Sequence, residues 1–98
     1  MHERELRAFT SIAETGRMDL AAKVLGYSQP ALSYQLKCLE TALGATLFTR
    51  NPTGAKLTMA GQVILPTAQA TLVLMESMKQ TAGAVGRHPG LRLTEANW

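Results

Sequence analysis

Only Gly26, Tyr27 and Ser28 separate two stretches of helical pattern in this chain. The first is a short run with Ala21, Ala22, Val24 and Leu25 on its apolar face. The second opens with Gln29-Pro30 and carries leucines at 32, 36, 39 and 43. A glycine just past a helical run suits a left-handed stop, and a serine hydroxyl caps the amides of the next helix. Proline is tolerated in a first turn, where its missing N–H costs little. Helices joined by so short a turn cannot lie antiparallel along their length. They cross steeply, as in a helix-turn-helix, and this limits the chain more than any other feature.

The surrounding pattern fills in a small domain. Leu6, Phe9, Ile12 and Ala13 predict a first helix over about Glu3–Thr15, stopped by Gly16. Asp19 is the expected N-cap of a short helix from Leu20 to Leu25, and the next helix runs from Ser28 to about Leu43 before Gly44. Thr46–Arg50 and Ala55–Thr58 flank the turn-rich Asn51-Pro52-Thr53-Gly54 and predict a β-hairpin wing. Thr58 caps a longer helix to about Ala82, about 36 Å at about 1.5 Å per residue, with Pro66 expected to kink it or leave a carbonyl unpaired. Gly83, Gly86, Pro89 and Gly90 mark a linker with one extended piece, Leu91-Arg92-Leu93. The expected class is all-α with a small hairpin, divided into a winged helix-turn-helix over 1–57, a linker helix over 58–83 and a tail over 84–98.

Composition narrows the function classes. Ninety-eight residues, 46% hydrophobic and 17% charged, make one ordinary core and leave no material for a separate ligand-binding domain. One cysteine, Cys38, excludes an internal disulfide and any zinc site needing two thiolates. His2 and His88 lie near the ends, so no metal or acid–base role is expected of them. No glycine-rich phosphate loop, nucleophile–base pair or paired carboxylates occurs, so neither an enzyme nor a cofactor site is expected. Apolar runs such as Leu72–Met75 are far too short to span a bilayer. The mixed-charge start, Met1-His2-Glu3-Arg4-Glu5, is not a signal peptide, and a cytoplasmic, nucleoid-associated protein is expected.

Charge is concentrated in the middle of the chain. The net charge is +3, made up of −1 over residues 1–16, +3 over 17–57 and +1 over 58–98. A basic centre favours an anionic partner, although a solvated surface of uneven charge reads the same way.

The helix after Ser28 divides into two faces. At about 100° per residue, Gln29, Pro30, Ser33, Tyr34, Lys37 and Thr41 fall within an arc of about 140°, and Leu32, Leu36, Leu39 and Leu43 within a separate arc of about 60°. Any surface helix has a polar face. This one is preceded by a tight capped turn and followed by a basic wing, and such a helix enters a major groove with its N-terminal residues against base edges. Gln29 suits the N6 and N7 of adenine and Pro30 a thymine methyl. Ser33 and Tyr34 suit a base or a phosphate, and Lys37 suits phosphate. Ser28 opens the helix N-terminus, whose free amides favour an anion.

Ala21-Ala22, Leu25, Ser28-Gln29-Pro30-Ala31-Leu32-Ser33, Leu39-Glu40, Leu43-Gly44, Leu47-Phe48, Arg50, Leu57-Thr58 and Ala60-Gly61 together resemble the N-terminal winged helix-turn-helix of LysR-type transcriptional regulators. The resemblance covers about residues 3–82. It implies sequence-specific binding of duplex DNA by a dimer or tetramer, with an effector domain after the linker helix. It places Gln29, Pro30, Ser33 and Tyr34 at base- and groove-facing positions and Lys37 and Arg50 in the backbone-contact region. It gives Glu40 a structural role. Arg17-Met18 replaces the usual Ser-Phe and adds Arg17 as a candidate phosphate contact. Thr53 stands where the wing commonly carries an arginine, so the wing contact is expected to be either weaker or shifted to Lys56. Leu91-Arg92-Leu93 resembles the start of an effector-domain strand, so no inducer site is expected in this chain.

Leu65, Ala68, Leu72, Met75, Lys79 and Ala82 alternate spacings of three and four, the seam of a coiled coil, and Met78 broadens it. The expected partners are therefore a second copy of the chain, through residues 58–83, and a pseudo-palindromic operator. The resemblance implies antiparallel pairing of the two linker helices. The competing reading is a winged module that no longer binds DNA and only pairs with a full-length partner.

Overall fold

Three of the helices end as the glycines dictate. In the computed structural model, which describes residues 1–52 and 54–86, α1 spans Glu3–Thr15, α2 Met18–Leu25 and α3 Gln29–Leu43. Gly16, Gly26 and Gly44 take left-handed conformations directly after them. The chain then forms β1 (Phe48–Asn51) and β2 (Gly54–Leu57), and ends its described part in α4 (Met59–Gly86). The strands pair antiparallel, with Phe48 opposite Leu57 and Arg50 opposite Ala55. Thr53 of the wing turn, the Leu91–Leu93 piece and the rest of 87–98 lie outside the described residues.

The core forms where the helical crossing predicted it. Phe9, Ile12, Leu32, Leu39 and Leu47 are fully buried, which brings α1, α3 and the start of the wing into one apolar cluster. Phe9 meets Phe48 edge to face, centroids 5.7 Å apart at 75°, a geometry that sets the positive ring edge against the negative face.

Two helix boundaries differ from expectation. Helix α2 begins at Met18 with Arg17 at the cap position, and Asp19 lies inside the first turn. Its carboxylate still favours the positive helix end, but it grips the Arg17 side chain instead of capping backbone amides. Helix α4 continues past Ala82 to Gly86 and runs through Pro66. Both Pro66 and Gln62, whose carbonyl loses its N–H partner, lie on the exposed side, where solvent replaces the missing bond.

The largest correction concerns α4. Ala68 is buried, and Leu65, Leu72 and Met75 pack against the same core, with α1 and α4 in contact. The seam read from the sequence therefore covers the domain's own core. Lys79, in that stripe, donates to both Glu3 carboxylate oxygens at 2.9 and 3.1 Å. Hydrogen bonds from Lys79, and secondarily from Arg7, hold the Glu3 carboxyl below the usual carboxylate range. A second apolar stripe, Met59, Val63, Val73, Leu74 and Met78, stays exposed. It lies about half a turn away around the helix, and periodicity alone does not say which of two such stripes a core will take.

Helix α4 is seated by a close approach. A Cβ on Gly61 would collide with the carbonyl oxygen of Leu47 and crowd a Leu57 methyl. The obstacle is backbone and cannot swing aside. Gly61→Ala is expected to destabilise the fold by about 1–3 kcal/mol in denaturant unfolding. Gly86→Ala, with nothing near its Cβ, should leave stability unchanged or slightly raised.

Candidate nucleic-acid interface

The N-terminus of α3 is built as its sequence predicts. The Ser28 hydroxyl accepts the Ala31 amide at 3.2 Å, and Pro30 occupies the first turn. The Tyr27 amide donates to the Ala22 carbonyl at 2.9 Å, which closes the turn between α2 and α3. Leu32, Leu36 and Leu39 are buried. Ser28, Gln29, Pro30, Tyr34 and Lys37 are exposed, and Ser33 is half-buried among them. One helix thus presents an amide, hydroxyls, a phenol and an ammonium on a rigid apolar back.

Arg50 joins this face from the wing. Its Nη2 donates to Ser33 Oγ at 2.6 Å. An open crevice of about 410 Å³ lies between the wing and the α2–α3 side, with Arg17, Gln29 and Arg50 on its walls. A second, of about 420 Å³, has Ser33, Lys37 and Arg50 on its walls. Arg50 therefore stands between Gln29 and Lys37.

Arg17 lines the same crevice as Gln29 and Arg50 and pairs with Asp19, Nη2 to Oδ2 at 2.6 Å; this pairing holds the Asp19 carboxyl below its ordinary value. Lys56 does not join that group. Lys56 is exposed but sits opposite Thr49 in the hairpin register, whereas Arg50 sits opposite Ala55. Successive positions along a strand face opposite ways, so Lys56 and Arg50, in successive pairs of the ladder, project from opposite faces of the wing. Tyr34 is 66% exposed, and its hydrogen bond with Cys38 raises the phenol above its ordinary value.

The wing is fixed to the body by backbone contacts. The Ala55 amide donates to the Gly16 carbonyl at 3.0 Å, and a Cβ on Gly54 would lie 2.5 Å from the same oxygen. Glu40 supplies the tie that sequence reasoning left unexplained. Its Oε2 accepts the Leu47 amide at 2.7 Å, linking the end of α3 to the start of β1. Sequence alone shows only a negative charge near a helix C-terminus, which is unfavourable there; the compensating amide comes from a segment positioned by tertiary packing. Among the described residues, no three His, Cys, Asp or Glu side chains come together to hold a metal ion, and no helix is long and apolar enough to cross a membrane.

With this geometry in place, the comparison with known proteins is decisive. Residues 4–62 match the family model of the bacterial regulatory helix-turn-helix protein, lysR family. The chain belongs to the LysR family. Its relatives there include the small neutral protease regulatory protein of Streptomyces coelicolor, 45% identical over 94 residues, which covers 92% of this chain and 29% of that protein. The HTH-type transcriptional regulator TfdT of Cupriavidus pinatubonensis is 39% identical over 95 residues, covering 95% of this chain and 42% of TfdT. The CbnR DBD from its DNA complex matches with a TM-score of 0.81 at 37% identity, over 88% of this chain and 99% of that one. Corynebacterium glutamicum OxyR, as the H2O2-bound C206S mutant, matches with a TM-score of 0.82 at 39% identity, over 87% of this chain and 26% of that one. This LysR-family chain thus spans less than a third of the Streptomyces relative, and its architecture is the family's winged helix-turn-helix.

The Glu40 tie gives a direct expectation. Glu40→Ala leaves the amide of Leu47, a fully buried residue, without its acceptor, and unfolding experiments should show a loss of about 1–3 kcal/mol. Glu40→Gln keeps an acceptor oxygen and should lose less.

Proposed function

We propose that this chain binds duplex DNA as the DNA-binding portion of a LysR-type transcriptional regulator, with α3 in the major groove. One observation carries the reading: the leucines of α3 are buried while Gln29, Pro30, Tyr34 and Lys37 stay exposed beside Arg50. A groove about 12 Å wide accepts such a helix end-on, with an amide for base edges and cations for the flanking phosphates. The likeness to the CbnR DBD from a DNA complex supports binding to DNA. Within this reading Gln29 and Pro30 address bases, Tyr34 a base or phosphate, and Lys37 and Arg50 the backbone. The Ser28-capped helix start offers amides to a phosphate.

The chain acts as a homodimer through residues 58–83. Support comes from the exposed stripe on α4, where Val73 and Leu74 are 67% and 65% exposed and belong to no core of their own. A two-fold pair of recognition helices reads half-sites about 34 Å apart, so the operator is a pseudo-palindrome. Residues 1–57 form the reading head and 58–83 the linker helix. Within this reading residues 1–98 carry no inducer site, and the protein works in the cytoplasm at the nucleoid.

Gln29→Ala should weaken binding to a duplex selected from a random pool by about 1–3 kcal/mol and change binding to scrambled duplex little. Lys37→Ala should weaken both and lower the salt slope by about one unit. Equal losses of both variants on both duplexes would remove Gln29 from the groove.

A second expectation concerns assembly. The double variant Val73→Glu with Leu74→Glu should convert the dimer to monomer in sedimentation equilibrium, while at concentrations low enough for the wild type also to be monomeric the two unfolding midpoints should nearly coincide, because both side chains face solvent in the single chain.

A further inference from the structure

We infer that Ser33 acts on DNA through Arg50, as a positioning residue that holds the wing guanidinium over the recognition helix, and does not itself read a base. This rests on the DNA-binding reading above and assigns a division of labour within it. Gln29, Ser33 and Lys37 lie four residues apart and so form one stripe of α3. Gln29 and Lys37 are exposed, whereas Ser33 between them is half-buried. Its Oγ accepts from Arg50 Nη2 at 2.6 Å, across a sequence separation of 17 residues. Arg50 also borders the crevice of Gln29 and the crevice of Lys37. A duplex approaching this stripe therefore meets a guanidinium over the serine.

The chemistry suits a latch. A guanidinium carries five donors in a planar fork and no acceptor, and a serine oxygen offers lone pairs to one of them. Using one N–H on Ser33 leaves four to fan toward a phosphate. Among the described residues the other ion pairs join Arg7 and Lys79 to Glu3 and Arg17 to Asp19. No described carboxylate forms a salt bridge with Arg50, so its charge remains available to the DNA backbone. Fixing a long side chain before binding reduces the ordering cost of the contact. The target is the sugar–phosphate backbone, so the contribution of Ser33 does not depend on sequence.

The test uses the full chain with a duplex selected from a random pool and a scrambled duplex, titrated at several salt concentrations. Arg50→Ala should weaken both duplexes about tenfold and lower the salt slope by about one. Ser33→Ala should weaken both by roughly three- to tenfold with the slope retained, and add nothing in the Arg50→Ala background. Ser33→Thr, which keeps the hydroxyl, should restore binding. In the absence of DNA, slow rotation of the Arg50 guanidinium in NMR should become fast in Ser33→Ala. Additive losses in the double variant, a loss confined to the selected duplex, or a freely rotating Arg50 in the wild type would each overturn the inference while leaving DNA binding intact. Wild-type protein that binds neither duplex would overturn the DNA-binding reading and this inference with it.

Discussion

Leu47 is held by both of its backbone polar groups. Its amide goes to the Glu40 carboxylate, and its carbonyl accepts the Thr58 amide at 3.0 Å. Its side chain is fully buried, and the absence of a Cβ on Gly61 lets α4 settle on its carbonyl. Three elements that are distant in sequence, the end of α3, the first strand and the start of α4, are therefore fixed at one residue. The recognition face depends on this node, because it sets where the wing begins and so where Arg50 arrives.

Much of the architecture was legible in the sequence because it is written in local terms. The glycine stops, the Ser28 cap and Pro30 in the first turn each act within a few residues. The leucine arc of α3 is a periodicity, and burial of Leu32, Leu36 and Leu39 follows from it. The exposed residues at the N-terminal end of α3 were legible for the same reason: the face opposite a buried ridge is solvent-facing wherever the helix lies on the surface.

What the sequence did not disclose depends on which neighbour arrives. Asp19 had the right chemistry for a cap, but Arg17 stood two residues away with a stronger donor. The α4 seam had the right spacing, but α1 claimed that stripe and left the opposite one bare. Lys79 sits in an otherwise apolar seam, and its partner, Glu3, lies 76 residues away in sequence. The Ser33–Arg50 and Glu40–Leu47 contacts join segments whose proximity no local pattern encodes. Each of these misreadings was of a partner, and none was of a residue's intrinsic chemistry.

The long helix is bound to the head at two points: Gly61 near its start lies on Leu47, and Lys79, about five turns further on, is clasped by Glu3 of the first helix. A rod fixed to its head in this way has no elbow. A tilt or twist of the rod is carried by these contacts into the reading surface, so the orientation of the one constrains that of the other.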